Sequence, residues 1–452
     1  MSKIDTLRRH GLFDARVPRY TSYPPANHFR EAVGQRHQQE WLQSVAKGTD
    51  VSLYIHIPFC KKLCWFCACR TQGSRVVAPV DAYVAVLRHE ISAVRSKLPA
   101  GVRMSRLHLG GGTPTILQPE TMAELLREVF DAFATAPDFE FSVEVDPTDA
   151  ATPLLQTLMD FGLTRASIGV QDFSREVQDA IGRHQTLAQT RDAVGFLREC
   201  GLRNLDLDVL YGLPHQTLES FSKTLGHVLD LVPDRLAIYG YAHVPWMSKR
   251  QVMIKHDDLP DTFTRLALSE RADEVISARG YLPVGIDHFA KPTDSIARAA
   301  QEGRLHRNFQ GYTDDPSPVL LGFGASAISR FPQGFSQNAP ATLAYEQRIE
   351  AGGFAGHKGF EMREQDLLMA HMIEDLMCRF AFNEKALNEA YPDHSAFIHS
   401  TAVALMQQFS DVFHISSTGL QLRHDAYPLV RLIAGFIDSR SGTELVAQSY
   451  AI

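Results

Sequence analysis

The chain has 452 residues, a formal net charge of −7, and 44% hydrophobic against 21% charged residues. At about 150 residues per domain this length allows two or three domains, and the negative charge argues against non-specific nucleic-acid binding, because a polyanion would meet no overall positive field. No run approaches the roughly 18 apolar residues of a membrane span, and the start, MSKIDTLRRHGLF, lacks the apolar core of a secretory signal. We therefore predict a cytoplasmic protein that binds neither nucleic acid nor a membrane.

Residues 1–48 form a predicted N-terminal arm that ends in a polar, helix-like stretch. Its middle carries the string PRYTSYPP at 18–25, with two tyrosines and three prolines. Proline has a fixed φ and no amide donor, and it keeps the residue before it extended. We expect this string to be ordered and extended rather than helical.

From residue 49 onward, short β-rich runs alternate with longer amphipathic runs. Strands are predicted at 51–57, 105–110, 139–145, 165–170, 204–212 and 235–241. Helices are predicted between them, near 79–97, 119–133, 152–161, 187–200 and 217–231. This alternation is typical of repeated βαβ units. Six strands are too few for a closed eight-stranded barrel, so we predict an α/β fold, an open partial (β/α)6 TIM-like barrel whose site lies at the C-terminal strand ends.

The remaining chain divides into an extension and a tail. A helix near 262–279, a strand near 281–287 and a Gly-rich stretch at 320–329 extend the same unit, which we predict to cover 49–345. The tail, 362–452, combines helical runs at 364–380, 396–408 and 426–438 with two short alternating runs at 413–423. Helices followed by a hairpin predict a mostly helical, winged-helix-like C-terminal domain.

Four of the six cysteines lie within ten residues, in the string HIPFCKKLCWFCAC at the end of the first strand. Cys60, Cys64 and Cys67 give the spacing C-x3-C-x2-C. Three thiolates on one short loop can hold three irons of a [4Fe-4S] cubane and leave the fourth iron open. S-adenosylmethionine can chelate that iron, and one electron then releases a 5′-deoxyadenosyl radical. We predict this cluster, with the three cysteines as its ligands.

Two other uses of these cysteines were weighed. A zinc site could be completed by Cys69 or His56, but no second cysteine pair exists in the chain. Disulfides are disfavoured because clustered cysteines in a large intracellular chain favour metal. Cys69 is too close to Cys67 to share the cubane and is predicted to be non-ligating, while Cys200 and Cys378 are predicted to be ordinary buried residues.

Polar residues follow the later strands. GGGTPT at 110–115 lets a ligand approach the backbone closely, and Glu144 after the third strand could bind ribose hydroxyls or an ammonium group. Gln171, Asp208 and the loop residue Arg183 would converge above a barrel mouth. The stretch HRNFQGYT at 306–313 contributes Arg307 and Gln310, and the arm contributes Arg19. Guanidinium groups suit bidentate carboxylate binding, so we take these three residues as candidate substrate contacts.

Together these strings resemble the oxygen-independent coproporphyrinogen III dehydrogenase (oxidase) family of radical S-adenosylmethionine enzymes. The similarity covers nearly the whole chain and rests on PRYTSYP, SLYIHIPFCKKLCWFC, HLGGGTPT, SVEVDP, GVQDF, DVLYGLP, GIDHFAKP and HRNFQGYT. Few of these strings are generic. Three positions depart from the usual family pattern: Ala68 stands for glycine, Arg70 for asparagine, and Pro25 doubles the proline of the arm.

The resemblance implies two S-adenosylmethionine molecules side by side, one on the cluster and one deeper in the barrel. Residues similar to the family's contacts with the first molecule are Tyr54, Gly111, Glu144 and Ile328. Those similar to its contacts with the second are Phe66, Gly112, Thr113, Gln171, Arg183, Asp208 and Ala242.

The resemblance also implies the reaction. The family converts the propionates on rings A and B of coproporphyrinogen III to vinyl groups, which gives protoporphyrinogen IX in heme biosynthesis. The radical takes a hydrogen from the propionate β-carbon, carbon dioxide leaves, and one electron passes to an acceptor. The protein positions the reactants and excludes water. An electron donor and an electron acceptor, both unidentified, are implied, and the family precedent suggests a monomer.

Two other functions were considered. A heme-transfer chaperone of the same superfamily shares the barrel and the cysteine motif, but that branch generally lacks the PRYTSYP string, the fourth cysteine and NFQGYT, all of which are present here. A zinc-stabilised interaction protein would be colourless and carry one zinc per chain. We predict instead a brown, oxygen-sensitive protein.

Overall fold

The computed structural model describes residues 2–438 and 449–451, and a twelve-stranded mixed sheet organises this part of the chain. Along the sheet the strands follow the order β12-β11-β10-β9-β1-β2-β3-β4-β5-β6-β8-β7. Their bounds are β1 Asp50–Ile57, β2 Arg103–Gly111, β3 Ala134–Val145, β4 Arg165–Gln171, β5 Asn204–Tyr211, β6 Arg235–Gly240, β7 Leu282–Val284, β8 His288–Ala290, β9 Leu320–Phe323, β10 Ile328–Phe331, β11 Gly334–Asn338 and β12 Gly356–Glu361.

Each described helix is too short or too polar to cross a membrane. The helices predicted from the sequence are present with ends shifted by a few residues. Their bounds are α1 Lys3–Arg9, α2 Gln35–Ser44, α3 Ala78–Lys97, α4 Pro119–Ala132, α5 Thr152–Asp160, α6 Arg175–Ile181, α7 Leu187–Glu199, α8 Leu218–Leu229, α9 Thr262–Ser277, α10 Ser295–Gln301, α11 Thr342–Glu350, α12 Glu364–Arg379, α13 Glu384–Ala390, α14 Ser395–Phe409 and α15 Val430–Ile437.

The sheet has seven adjacent parallel strands, one more than the sequence pattern predicts. All six predicted strands are present, and β9 adds a seventh by pairing in parallel with β1. The Gly-rich stretch hides β9, because its glycines interrupt the apolar run that marks a strand. Gly322 is needed there, since an added Cβ would stand 2.6 Å from the Ile328 carbonyl oxygen.

The two edges of the sheet are antiparallel. On one side β10, β11 and β12 continue from β9. On the other side the single strand predicted near 281–287 is instead a hairpin, β7 and β8, which pairs with β6. Gly285 has φ +61 in this turn, and an added Cβ would lie inside the Tyr312 ring, so the chain reverses where a continuous strand was expected.

Alternate side chains of the parallel strands point to opposite faces of the sheet. One face is apolar and packs in a single core with the helices; it includes Leu53, Ile55, Leu109, Val143, Ile168 and Leu207, all at most 1% exposed. Burying each such side chain stabilises the fold by about 1.5–3 kcal/mol. The opposite face is polar and includes Tyr54, His56, His108, Glu144, Ser167 and Asp208. Side chains available for chemistry therefore share this second face.

Ion pairs occupy the amino-terminal half of the polar face. Arg165 donates to Glu140 at 3.1 Å and to Asp206 at 2.7 Å, and Arg235 donates to Asp294 at 2.8 Å. Buried charges require partners of this quality, because removing one partner costs about 3–5 kcal/mol. The network fills this half of the face, which leaves the carboxyl-terminal half for ligands.

The N-terminal arm and the C-terminal segment share a second hydrophobic core. Leu7 of α1 and Leu12, Val17 and Tyr20 of the arm pack in it with α12, α14, α15 and a three-stranded sheet of Ala381–Phe382, Phe413–Ser416 and Gly419–Leu422. Tyr20 also donates to Asp438 at 3.0 Å. The string PRYTSYPP is not helical, as predicted, but it is not continuously extended, because Tyr20 has φ +48 and the chain bends over 21–24.

Candidate active site

The cysteine loop follows β1 and is held from two sides. Its first cysteine ends a two-residue strand, Phe59–Cys60, that pairs in parallel with Gln72–Gly73. The backbone N–H of Trp65 donates to the Ile181 carbonyl at 2.9 Å. Gly182, which follows α6 with φ +67, has no Cβ, and a methyl there would stand 2.7 Å from the Trp65 ring. The short helix α6, which the sequence analysis missed, therefore supports the loop.

A second segment, 242–255, holds the same loop from the side of β6. The buried amide of Gln251 donates to the Phe66 carbonyl at 2.7 Å and to the Ala242 carbonyl at 3.1 Å. Ser248 donates to the Cys67 carbonyl at 2.9 Å. Phe66 and Ala242, which lie far apart in the sequence, are thus joined through Gln251, a residue that no sequence signal singled out.

The three predicted cluster thiols have different surroundings. Burial raises the pKa of Cys60 to about 11, although a hydrogen bond with Thr113 opposes the shift. Burial also raises the pKa of Cys64, and Arg183, whose Nη1 lies 3.6 Å from its Sγ, opposes this. A hydrogen bond from the Cys69 thiol lowers the pKa of Cys67. Metal binding requires thiolates, so protons leave all three when a cluster binds.

These residues fit a cluster held by three thiolates. Cys60, Cys64 and Cys67 are free, partly exposed thiols on one loop. In residues 2–438 and 449–451, no three His, Cys, Asp or Glu side chains converge to hold a single metal ion. A cubane differs because each thiolate binds a different iron.

The glycine turn after β2 lies directly against the cysteine loop. The backbone N–H groups of Gly112 and Thr113 donate to the carbonyls of Ile57 and Phe59, both at 2.8 Å. Gly111 has φ +112, and its N–H donates to Glu144 at 3.1 Å. The three-glycine string therefore allows a close backbone approach to the cysteine loop and to Glu144, while the approach to a ligand stays a prediction.

Replacing Gly112 by alanine is expected to weaken both the fold and S-adenosylmethionine binding. The added Cβ would stand 2.6 Å from the Phe59 carbonyl oxygen and 2.9 Å from that of Ile57, and backbone atoms cannot swing aside. We expect the free energy of unfolding to fall by about 1–3 kcal/mol and the affinity to fall by at least about tenfold, measured by thermal denaturation and calorimetry. Gly226→Ala, in α8 with no atom near the added Cβ, should be neutral or stabilising. Unchanged affinity in Gly112→Ala would contradict the assignment.

Polar groups from β1, β2 and β3 form a row beside this turn. The Tyr54 hydroxyl lies 3.0 Å from His56 Nδ1, and its ring stacks on His108 with centroids 5.7 Å apart. His108 Nε2 lies 3.5 Å from a carboxylate oxygen of Glu144, whose side chain is 42% exposed. On the other side of Tyr54, Gly322 pairs with it, and the Ile328 backbone lies against Gly322. Tyr54 therefore lies between the other two, with His108 between it and Glu144 and Gly322 between it and Ile328.

The two histidines in this row were missed as site residues. His56 was weighed only as a zinc ligand, and His108 was not considered. Burial lowers the pKa of His56, so this ring is neutral at physiological pH. The alternation in SLYIHI and LHLG, which puts both rings on the same face as Tyr54, was the available signal.

Arg183 connects the cysteine loop to β3 and β4. Its guanidinium donates to Asp146 at 3.1 Å and to the Gly169 carbonyl at 2.9 Å, in addition to its contact with Cys64. The Gln171 amide lies over Gly169, and Gln171 has φ +67, a conformation that costs a non-glycine residue energy. The predicted convergence of Arg183 and Gln171 at the strand ends is present.

Asp208 lies on β5, directly opposite Gly169 of β4. Its carboxylate accepts a hydrogen bond from the Ser167 hydroxyl at 3.3 Å. Burial raises its pKa to about 7, and the charges of Glu144 and Asp206 act in the same direction. An uncompensated carboxylate on this face favours a cationic ligand, because a positive charge would relieve its desolvation. The sulfonium and ammonium groups of S-adenosylmethionine are such charges.

Asp208→Asn is expected to stabilise the protein increasingly as the pH rises. In the folded chain Asp208 keeps its proton up to a pH of about 7, whereas the unfolded chain releases it near the ordinary value of 3.8. Stability contributed by this group is therefore lost as pH rises through that window, and the variant's advantage should grow by about 2 kcal/mol between about pH 5 and pH 7 and then level off. Denaturant titration of cluster-loaded protein without S-adenosylmethionine measures it, with the exposed Asp160→Asn as control. An advantage that shrinks with pH would contradict the burial.

A cavity of about 1500 Å³ opens beyond the carboxyl ends of β5 and β6. Ordinary small-molecule pockets are about 300–1,000 Å³, so this one can accept a larger molecule. Its walls come from the arm, from segment 242–255, from α9 and from the C-terminal segment. The arginines that line it are Arg16, Arg19, Arg265, Arg307, Arg379 and Arg431.

Arg19 and Arg431 reach this cavity from opposite ends of the chain, and no described carboxylate pairs with either. Arg19 donates to the Gly240 carbonyl at 2.7 Å, and Arg431 donates to the carbonyls of Val17 and Ala451, both at 2.9 Å. Burial lowers the pKa of Arg431 to about 9, and Arg19 adds repulsion. Arg19 is enclosed by protein but open to the cavity. Among residues 2–438 and 449–451, no carboxylate forms an ion pair with either arginine, so both present positive charge to the cavity.

Arg307 also lines the cavity, but its charge is already paired. Its guanidinium donates to Asp287 at 3.2 Å, and Asp287 lies 2.7 Å from His288 Nδ1. Burial lowers the pKa of Arg307, but the Asp287 carboxylate more than offsets this and raises it. Gln310 is exposed and does not line the cavity. Of the three predicted substrate contacts, Arg19 is thus the best placed for a carboxylate.

Fold and cysteine loop together define the class of radical S-adenosylmethionine proteins, and comparisons with known proteins agree. Residues 54–228 match the family model described as the radical SAM superfamily. The oxygen-independent coproporphyrinogen III oxidase of Paracoccus denitrificans is 47% identical over 100% of this chain and 99% of its own length. That of Escherichia coli is 37% identical over 93% and 92%.

A solved structure extends the similarity to three dimensions. The coproporphyrinogen III oxidase of Escherichia coli, described as a radical SAM enzyme, superposes with a TM-score of 0.88 at 35% identity, covering 92% of this chain and 96% of that one. The chain belongs to the oxygen-independent coproporphyrinogen III oxidase family. Membership implies a [4Fe-4S] cluster and S-adenosylmethionine, which the cysteine loop and the glycine turn fit.

Proposed function

We propose that this protein oxidises coproporphyrinogen III to protoporphyrinogen IX in heme biosynthesis, by decarboxylating the propionates of rings A and B. The observation that carries the proposal is the large cavity beyond the carboxyl ends of β5 and β6, which is lined by Arg19 and Arg431, two arginines with no described carboxylate partner. A tetrapyrrole with several propionates needs both the volume and the charge. Carboxylates held by arginine are among the strongest hydrogen-bonded pairs.

When bound, the cluster and S-adenosylmethionine supply the radical chemistry that removes hydrogen from a propionate. Cys60, Cys64 and Cys67 would hold the cluster. Tyr54, Gly111, Glu144 and Ile328 would hold one S-adenosylmethionine, and we propose a second molecule against Phe66, Gly112, Thr113, Gln171, Arg183, Asp208 and Ala242. The buried Asp208 carboxyl, whose pKa is raised to about 7, supports a cationic ligand there, because a positive charge would stabilise its ionised form.

The remaining task of the protein is positional. Arg19 and Arg431 would hold propionates that do not react, which fixes the tetrapyrrole relative to the strand ends, and fixed geometry lowers the barrier by removing the entropy of encounter. The arm and the C-terminal segment, packed on one another through Val17 and Tyr20, would keep bulk water from the radical.

Several finer features also belong to the proposal. We propose that the sheet forms an open partial barrel over 49–345, with an arm over 1–48 and a C-terminal domain over 362–452. The helix and strand order of α12 to the 413–422 hairpin supports a winged-helix-like unit. We also propose that the protein is a monomer that receives electrons from an external donor and passes them to an external acceptor.

Anaerobic incubation of reduced, cluster-loaded protein with S-adenosylmethionine and coproporphyrinogen III tests the function. We expect 5′-deoxyadenosine and protoporphyrinogen IX together. If neither forms although the cluster is present, the oxidase function is wrong. A hemin titration examines the chaperone alternative: stoichiometric, tight heme binding without any vinyl product would favour it.

A further inference from the structure

Asp287 places a carboxylate among the arginines that line the large cavity. It lies directly before β8, and its backbone carbonyl accepts from the Ile238 N–H of β6 at 2.7 Å, which fixes its position beside the strand ends. The Asp287 side chain is 15% exposed, against 5% for its partner Arg307. Both residues line the cavity, so the carboxylate is the more open member of this buried ion pair.

The charge of Asp287 acts on three arginines at once. Arg307 donates to its carboxylate at 3.2 Å. Burial lowers the pKa of Arg19, and the charge of Asp287 is the largest effect that opposes this. Burial and the charge of Arg19 also lower the pKa of Arg431, and Asp287 again acts in the opposite direction. The cavity wall therefore combines an anion with three neighbouring cations.

The Asp287 carboxylate has room for a further hydrogen-bond donor. Its Oδ1 lies 2.7 Å from His288 Nδ1 and 3.4 Å from Arg307 Nη1, whereas its Oδ2 accepts one described hydrogen bond, from Arg307 Nη2. A carboxylate has about four acceptor positions, so Oδ2 can accept another donor from the cavity. Burial acts to raise the pKa of Asp287, but Arg307 and His288 more than offset this and lower it, so the acceptor stays ionised.

A porphyrinogen has the polarity that complements this wall, with carboxylates at its rim and pyrrole N–H donors at its centre. Saturated carbons join its pyrrole rings, so the rings can tilt and direct their N–H groups to one side, toward a single acceptor. We propose that Asp287 binds the pyrrole N–H groups of coproporphyrinogen III and thereby selects the porphyrinogen against the oxidised porphyrin. The inference rests on the substrate proposed above and adds the residue that recognises the centre of the macrocycle.

The selection follows from the chemistry of the ring nitrogens. The oxidised porphyrin has the same propionates, but half of its nitrogens carry lone pairs instead of protons, and its rigid ring keeps the remaining N–H groups in the plane. A carboxylate repels those lone pairs. A site built around a hydrogen bond from a substrate N–H rejects an analogue that lacks it, because the buried polar group then loses its partner.

The test compares two ligands on two proteins, anaerobically and without S-adenosylmethionine, so that no turnover occurs. Coproporphyrin III is fluorescent and gives its own affinity, while coproporphyrinogen III gives its affinity by displacing it. In Asp287→Asn we expect the preference for porphyrinogen over porphyrin to fall by about 10- to 100-fold, the cost of losing hydrogen bonds to a charged group. Arg307, released from its partner, would attract the propionates of both ligands alike, so the ratio of affinities isolates the N–H groups.

Two further variants complete the experiment. Asp273→Asn removes another carboxylate that lines the cavity, on α9, and should keep the ratio within about twofold of wild type. Asp287→Asn leaves Arg307 buried without its partner, which destabilises the fold. If that variant does not fold, the double variant Asp287→Asn, Arg307→Gln, which removes both charges, undergoes the same titrations.

An unchanged ratio in the folded variant would overturn the proposal. An equal loss of affinity for both ligands is such a result, and it is what a purely structural ion pair predicts. Oxidation of coproporphyrinogen III by wild type is assayed separately. If wild type forms protoporphyrinogen IX but the ratio does not change, only the role of Asp287 fails, whereas a wild type that neither binds nor oxidises coproporphyrinogen III would overturn the proposed function as well.

Discussion

Replacing Cys64 by alanine is expected to abolish cluster binding and, with it, the formation of both 5′-deoxyadenosine and protoporphyrinogen. Cys64 is the middle thiol of the C-x3-C-x2-C loop, and its Sγ faces Arg183. Two thiolates cannot hold a cubane that leaves one iron open, so product formation should fall by at least about two orders of magnitude. Iron content, the visible spectrum and product chromatography under anaerobic conditions measure the loss.

Two other cysteine variants serve as controls for Cys64→Ala. Cys200, at the end of α7 near Gln156, is remote from the loop, so Cys200→Ala should keep its iron and its activity. Cys69→Ala should keep its iron, because Cys69 is predicted to be non-ligating. Retained iron in Cys64→Ala, or loss of iron in Cys69→Ala, would show that the ligand set is assigned wrongly.

Arg19→Gln is expected to raise the KM for coproporphyrinogen III by about 10- to 100-fold, the cost of losing a hydrogen bond to a charged group. The arm should stay in place while the charge is lost, because Val17 and Tyr20 on either side of Arg19 remain packed in the second hydrophobic core. The affinity for S-adenosylmethionine, measured by calorimetry, should not change.

Arg271→Gln is the matched control for Arg19→Gln. Arg271 lies on α9, the helix that carries Arg265, but it is exposed, pairs with Glu274 at 3.1 Å and does not line the cavity. Its KM should match that of wild type. If the KM of Arg19→Gln equals that of the control, Arg19 is not part of the substrate site. If Arg19→Gln loses affinity for S-adenosylmethionine by as much as its KM rises, the substitution has disrupted the strand ends instead.

Much of the candidate site could be predicted because its residues follow one another at successive strand ends. Tyr54, Gly111 and Glu144 come together because neighbouring parallel strands end at one edge of a sheet, a property of topology that a strand count predicts. The strand β9 and the hairpin of β7 and β8 were not predicted, since glycine hides the first and a turn at Gly285 splits the second.

By itself, the sequence determined the cysteine loop, the six βαβ strands, the glycine turn and the family, because each is encoded in short strings whose chemistry is local. Only the tertiary structure decided which arginines share the cavity. Arg19 and Arg431 come from opposite ends of the chain, and Arg307 already forms an ion pair with Asp287. Such pairings depend on packing between distant segments, and no local pattern specifies them.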